Sequence, residues 1–415
     1  MSSFNVPVKK GLMSFPTPPS IITLVLKVES KNAIQELFDF FSKSVACLHF
    51  RYIDDCNLEY NKNKIFQYTI PSELTDLGKI CSYVGHNFTP PKEESFGSIA
   101  INEENKIIAL NVSHRFCDGG FFKFLLDKFN KHEFPEQLPI LPRFSAEIFR
   151  NEINDAPDIK SLFNDPSIFR LIPNKITTKT HPSSYFINYD IKMKANEFKA
   201  YDESKNSPRS ITDLMYLSHY FASACYKEKL FDKFSVATII DLRESLNYKP
   251  DFLNCYQCAQ IIPTVSNISP NDKLSDLSIR LRNDLKLQRK QNKQFAMLKA
   301  KCDINSIVHG IMLYYSAVGV MNIKRPIIDA YAGILVNCSN PKSISVVNDQ
   351  VTLFNWSVRD DERKKNDFTT QILYNPNIFD SSEMSLYGRR IKYFLHNISL
   401  DQKIGDVYNI IKKVK

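Results

Sequence analysis

The stretch NVSHRFCDGG, residues 111–120, places His114 four residues ahead of Asp118 and ends on two of the chain's eleven glycines. Its surroundings decide how it is read. Before it, FGSIAINEENKIIALNV carries two apolar runs around the polar turn NEEN, the pattern of a β-hairpin whose second strand leads into His114. After it, FFKFLLDKFN repeats Phe121, Phe124, Leu125 and Phe129 at helical spacing. The motif therefore sits on a strand-to-helix turn. A histidine there titrates near neutrality and can take a proton from an alcohol, amine or thiol as it attacks a carbonyl. The first N–H groups of the helix bring a positive dipole end close to any negative charge that develops. On spacing alone, the same residues also describe a bend that merely contains a histidine. Asp118 could then touch the imidazole or brace the turn against an arginine.

The 415 residues suffice for two domains with cores of their own. Thirty Phe and nineteen Tyr against one Trp imply large aromatic cores and exclude global disorder. A formal charge of +9 over this length fits an anionic small molecule or a phosphorylated carrier as well as nucleic acid. The opening MSSFNVPVKKGLMSFPTPPSIITLVLKVES lacks the apolar run of a signal peptide, since IITLVL stops at Lys27. The run GIMLYYSAVGVMNI (310–323) falls short of the roughly 20 apolar residues of a spanning helix, so no transmembrane segment is expected. Nine cysteines at irregular spacing argue against a disulfide framework and for a reducing, cytoplasmic setting. CYQC, from Cys255 to Cys258, has the spacing of half a zinc site. No second close pair exists and AQIIPTV after it reads as a strand, so buried thiols and no metal are expected.

Further along, SKNAIQELFDFFSKSV places Ile34, Leu37, Phe38, Phe41 and Val45 on one helical face behind Ser30 as N-cap. Residues 132–183 are rich in proline and read as a connection. A second half follows: strand YFINYDIK, helix SITDLMYLSHYFASACYKE, and a strand ending in VATIIDLRESL. Next comes a long basic helix, NDKLSDLSIRLRNDLKLQRKQNKQFAMLKAK, with Leu274, Leu277, Leu281 and Leu285 on one side. The strands NDQVTLFNWSV and FTTQILYN precede a last helix with Asp380 and Glu383 in capping-box spacing. Both halves mix strands and helices. The expectation is an α/β (α+β) chain in two domains, 1–165 and 185–415, joined by a crossover at 166–184.

HRFCDGG, between an apolar strand and an apolar helix, resembles the HxxxDG motif of the chloramphenicol-acetyltransferase-like superfamily. That group includes BAHD-type plant acyltransferases, alcohol acetyltransferases, polyketide-associated acyltransferases and peptide-synthetase condensation domains. VATIIDLRESL, with Asp241, Leu242 and Arg243, resembles the superfamily's D-x-R segment. ILVNCSNPKSI resembles its S-N segment, and ILYNPNIFDSSEMSLYGRRIKYFLHNI its closing strand, loop and helix. Order and approximate spacing agree over nearly the whole chain.

The resemblance implies two similar domains with the active site in a tunnel between them, the acyl donor entering from one face and the acceptor from the other. It implies His114 as general base, Asp118 as a structural brace pairing with Arg243, Asp241 and Gly119 as supports, and neither a metal nor a covalent enzyme intermediate. Asn254, Ser339, Asn340 and Trp356 fall at candidate substrate- or oxyanion-facing positions, although Ser339 and Asn340 could equally shape a strand end. The implied reaction moves an acyl group from a coenzyme A thioester, a co-substrate and not a resident cofactor, to an alcohol or amine. A carrier-protein-dependent condensation-type enzyme and a non-catalytic binding protein with the same fold are the other readings. Ser113 stands where condensation domains carry a second histidine, Leu253 and Pro341 replace common glycines, and no DFGWG segment is present. Ser113 and the missing DFGWG favour a stand-alone alcohol or amine acyltransferase of microbial type, while Leu253 and Pro341 leave room for the binding protein. Cys117 reads as a small buried thiol and not a nucleophile. The basic stretch Arg280–Lys301 reads as a solvated helix face, with coenzyme A phosphates as the alternative. Only Phe295 interrupts it, too few aromatics for a nucleic-acid surface.

Overall fold

The strand Ile21–Val28, IITLVLKV, is apolar at nearly every residue because both of its faces are covered. Successive side chains leave a strand on opposite sides. Ile22, Leu24, Leu26 and Val28 accordingly join one core with Leu37, Phe40, Phe41 and Phe121, while Val25 joins another with Ile80 and Val84. The strand Ile107–Ser113 divides the same way, Ile108, Leu110 and Val112 to one side and Ile107 and Ala109 to the other. Helices Lys31–Ser44 and Gly119–Asn130 pack on the first side, and Leu77–Asn87 on the second. Ser30 caps the first of these helices by accepting from the Ala33 amide. Phe40, and not Phe38, completes its buried face. The computed structural model describes residues 3–7, 20–54, 57–61, 64–91, 93–114, 116–136, 148–157, 186–245, 251–253, 257–296, 299, 315–336 and 351–415. The crossover at 166–184 lies outside them.

The first sheet has five strands, in the order Ile327–Leu335, Ile21–Val28, Ile107–Ser113, Gly97–Asn102 and Phe66–Thr69. Its hairpin, Gly97–Asn102 with Ile107–Ser113, is antiparallel as the NEEN turn requires. The edge strand Phe66–Thr69 runs parallel to its neighbour. Ile327–Leu335 reaches this sheet from far along the chain and pairs antiparallel with Ile21–Val28. The second sheet has six strands: Cys258–Ile261, Ala237–Asp241, Tyr315–Asn322, Thr352–Asp360, Lys365–Tyr374 and Ile187–Lys194. Its central pairs are parallel and its outer pairs antiparallel.

Helices Ile211–Tyr226, Leu274–Lys290, Ser381–Asn397 and Ile404–Lys412 share one core with the second sheet. The first of these is buried at every residue from Asp213 to Tyr226, as expected of a helix enclosed by others. Asp380 caps Ser381–Asn397 by accepting from the amides of Ser382 and Glu383. The basic helix stops at Lys290 and does not run on to Lys301. Asn292 takes a left-handed φ of 56°, and a short 3-10 turn over Lys293–Phe295 follows. That turn brings Phe295 to 5.1 Å from Phe149, ring centre to ring centre.

The helix Gly119–Asn130 lies where the sheets meet. It packs on Tyr315–Asn322 of the second sheet, and Met321 and Val358 from that sheet enter the first core. His114, at the head of this helix, is thereby placed at the junction of the two lobes.

Candidate active site

Strand Ile107–Ser113 ends at Ser113, and the chain turns over His114 to Asp118 before the helix begins at Gly119. The His114 backbone N–H donates to the Ser20 carbonyl at 2.8 Å, tying the turn to the start of the neighbouring strand. His114 Nδ1 lies 2.7 Å from the Cys117 carbonyl oxygen. A carbonyl can only accept, so Nδ1 carries a proton, and in the neutral imidazole Nε2 holds the lone pair. The half-buried imidazole lines a cavity of about 280 Å³ between the lobes, with Gly119, Asp241, Val318, Asn355 and Trp356 among its other walls. The Cys117 thiol is fully buried and lies 3.3 Å from Cys47 Sγ in the core. It is Cys117's carbonyl, and not its sulfur, that meets the histidine.

The Asp118 carboxylate is committed to partners other than His114. One carboxylate oxygen accepts from the Phe121 amide at 2.9 Å, capping the helix, and from Arg243 Nη1 at 2.9 Å. The other accepts from the Gln257 amide at 2.6 Å. Arg243 Nη1 also donates to Asp241 Oδ1 at 3.0 Å. The side chains of Asp118 and Arg243 are 3% and 5% exposed, so the pair is dry. Burial by itself depresses the Arg243 guanidinium, but the charges of Asp118 and Asp241 more than reverse this and hold it above its usual value. Burial pushes the Asp241 carboxyl up against the pull of Arg243, and Asp118 adds to the rise. The ion pair joins the two lobes directly beneath the histidine turn.

Close packing against that turn explains its glycines. A Cβ on Gly119 would lie 2.3 Å from Trp356 Cη2, and one on Gly319 would lie 2.6 Å from Trp356 Cζ3. The indole of Trp356 is held between them. A Cβ on Gly120 would meet Asp241 Oδ2 at 2.5 Å and Arg243 Nη1 at 2.6 Å. Gly119→Ala should therefore cost about 1–3 kcal/mol through overpacking, read from the urea midpoint. An unchanged midpoint would show that the indole moves aside freely.

His114, Asp118, Gly119, Asp241 and Trp356 line one cavity, and Arg243 pairs with both aspartates behind it. Asn254, Ser339 and Asn340 lie outside the described residues, as do Cys255 and Pro341. Cys258 begins a strand, as the AQIIPTV reading requires, and lines the cavity. Among the described residues, no group of three or more His, Cys, Asp and Glu is placed to hold a metal, and no helix is long and apolar enough to cross a membrane. Sequence reasoning missed Gln257, Gly120 and Gly319. A backbone amide such as Gln257's leaves no mark in sequence. Gly120 and Gly319 were visible as glycines, but their need to be glycine comes from residues distant in sequence: Asp241 and Arg243 of the other lobe for Gly120, and Trp356 on the neighbouring strand of the same sheet for Gly319.

A second cavity, of about 410 Å³, shares the walls Gly333 and Ile334 with the first and is lined also by Cys81, Asn188, Asp190 and Tyr331. Burial pushes the Asp190 carboxyl up. The Tyr331 hydrogen bond, the Lys192 charge and Asn188 oppose the rise, and Asp76 adds to it. The folded chain therefore binds this proton more tightly than the unfolded chain. Its contribution to stability is present below the ordinary carboxylate range and is lost as pH rises through the folded value. Asp190→Asn should flatten that fall and gain stability relative to the parent as pH is raised from 4 to 8. Parallel stability–pH curves for the two proteins, from urea midpoints, would contradict this.

No protein-family model matches the chain, and no curated protein matches it in sequence. Solved structures match it over nearly its whole length. A mutant starter condensation domain of rhizomide synthetase RzmA, in complex with C8-CoA and Leu-SNAC, is similar at 9% identity and TM-score 0.59, covering 95% of this chain and 91% of that one. The X-domain from teicoplanin biosynthesis is similar at 13% identity and TM-score 0.57, covering 95% and 94%. The first condensation domain of the calcium-dependent antibiotic synthetase, in complex with a substrate analogue, is similar at 10% identity and TM-score 0.58, covering 94% and 92%. The chain has the two-lobed, mixed α/β fold of these condensation domains, the chloramphenicol-acetyltransferase-like fold.

Proposed function

We propose that the chain is an acyltransferase that moves an acyl group from a coenzyme A thioester to an alcohol or amine, with His114 as general base. The observation that supports this reading is the bond from His114 Nδ1 to the Cys117 carbonyl, which in the neutral imidazole leaves the lone pair on Nε2, on a ring that lines the inter-lobe cavity. In the transfer, Nε2 takes the proton of the acceptor O–H or N–H while that atom bonds to the thioester carbonyl carbon. The tetrahedral intermediate collapses with cleavage of the C–S bond, and the imidazolium returns the proton to the departing thiolate. Atoms balance as acyl-acceptor plus free thiol. Asp118 takes no proton in this scheme. Its carboxylate is committed to Arg243, Gln257 and Phe121, so it holds the turn. Coenzyme A is consumed as a co-substrate, and we place the reaction in the cytoplasm on the odd, irregular cysteine set.

The test is thiol release from a panel of acyl-CoAs with alcohol and amine acceptors, with His114→Ala as control. Release that requires both acceptor and His114 supports the reading. Release from phosphopantetheinyl carrier protein but from no acyl-CoA would transfer the assignment to a condensation-type enzyme, the class to which the similar structures belong. Binding of coenzyme A and acceptor without release would leave a binding protein.

A further inference from the structure

A buried polar network lies across the shared wall of Gly333 and Ile334 from His114, and the transfer described above does not use it. The Tyr331 hydroxyl donates to Asp190 Oδ2 at 2.6 Å. It accepts from Gln371 Nε2 at 2.6 Å and from Asn188 Nδ2 at 3.3 Å, so its donor and both lone pairs are committed. Gln371 Nε2 also donates to the Ala332 carbonyl at 2.9 Å, which fixes the orientation of that amide. Two acceptors remain. Asp190 Oδ1 and Gln371 Oε1 are buried with no hydrogen-bond partner among the described residues. Buried acceptors are rarely left in that state. The nearby Lys192 ammonium is engaged elsewhere, 3.1 Å from Asp76. Asp190 lines the second cavity and the fully buried Gln371 lines the first, so the two residues flank the wall that the cavities share.

We propose that the acceptor substrate carries a protonated amine in addition to its nucleophile, as an amino alcohol or diamine does, and that Asp190 holds the ammonium while the other end reaches His114. This rests on the acyltransferase reading. An ammonium brings three donors and a positive charge, which suit a carboxylate oxygen and an amide oxygen that lack donors. The χ2 torsion of an aspartate is soft and two-fold, so the Asp190 carboxyl can turn Oδ1 toward the cavity. Gly333, in the wall that the two cavities share, has no room for a side chain, since a Cβ there would lie 2.7 Å from Cys81 Sγ and 3.3 Å from the Tyr331 ring. An ordered water would satisfy the same oxygens without discriminating between substrates, and the test separates the two occupants.

Binding of ω-amino alcohols and of diols of matched chain length to the full chain is measured by calorimetry. The amino alcohol of best-fitting length should bind about tenfold or more tightly than its diol, and Asp190→Asn, which keeps the shape and loses the charge, should remove the difference. Equal affinity in the parent, or a preference that survives Asp190→Asn, overturns the proposal and leaves water as the occupant. In turnover, the ratio of kcat/KM for amino alcohol over diol should fall by about tenfold in Asp190→Asn. A structural role alone would lower both values together and leave the ratio. If transfer persists in His114→Ala, the acyltransferase mechanism fails while the binding comparison still judges Asp190. If transfer requires His114 but the ratio is unmoved, only the amine anchor fails.

Discussion

Replacing His114 by alanine is expected to lower acyl transfer by about 10²–10⁴-fold, the range over which a positioned general base contributes. The fold should survive. The imidazole is half-buried, and the Nδ1 bond to the Cys117 carbonyl is worth about 1 kcal/mol. Both effects can be measured on one preparation, by single-turnover thiol release and by thermal unfolding. The loss should fall on kcat, because the proton is taken only as the acceptor attacks. The acidic limb of the rate–pH profile that an imidazole base imposes should disappear as well. A variant that unfolds normally and keeps more than about a tenth of the parent rate would falsify the assignment of Nε2 as base.

Asp118→Ala should behave differently, losing stability and activity together. Of its two carboxylate partners among the described residues, the Arg243 guanidinium would keep Asp241, in a site where its side chain is 5% exposed. The Gln257 amide would lose its acceptor, and the helix at Gly119 would lose its cap. Removing one member of a buried ion pair costs roughly 3–5 kcal/mol, because the remaining charge is stranded. The N-cap contributes a share of about 1 kcal/mol to a loss of this kind. Urea unfolding gives the number. The double variant Asp118→Ala with Arg243→Met should recover part of it, since the stranded charge is then gone. A stability loss below about 1 kcal/mol for the single variant would mean that the pair is solvated in solution and does not brace the lobes.

The two experiments separate residues that the motif places side by side. His114 and Asp118 are four positions apart in a six-residue motif and both border the cavity, yet the carboxylate is committed to Arg243 and two backbone amides while the imidazole is held through Nδ1 by the Cys117 carbonyl. The reason lies in the turn. Asp118 is the last extended residue before the helix, with φ −127° and ψ 172°, and its side chain folds back onto the first free amides. His114 precedes that reversal and is held by a backbone carbonyl inside the turn.

Much of the local structure was legible because its causes are local. The hairpin Gly97–Ser113 follows from alternating apolar residues around a polar turn, and the helix after Gly119 from a 3.6-residue repeat begun at a capping aspartate. Ser30 and Asp380 act as the caps their spacing announces. The end of the basic helix was harder to see. Lys, Gln and Asn continue without a proline or glycine through Asn292, and that residue's left-handed turn is rewarded by the burial of Phe295, a contact with a distant segment.

By itself, the sequence determined where the strands and helices lie around NVSHRFCDGG, and its ordered motifs pointed to the superfamily whose fold the chain has. Periodicity, caps and glycine turns act over a few residues, and that is why they can be read from a single chain. Tertiary structure alone decided that Ile327–Leu335 completes the first sheet, that Arg243 and Gln257 grip Asp118 from the other lobe, and that Trp356 lies between Gly119 and Gly319. It also brought Asp190, Tyr331 and Gln371, from three separate strands, into one network beside the cavity. Each of these depends on which surfaces meet when apolar faces are removed from water, and that choice is made by the whole chain at once.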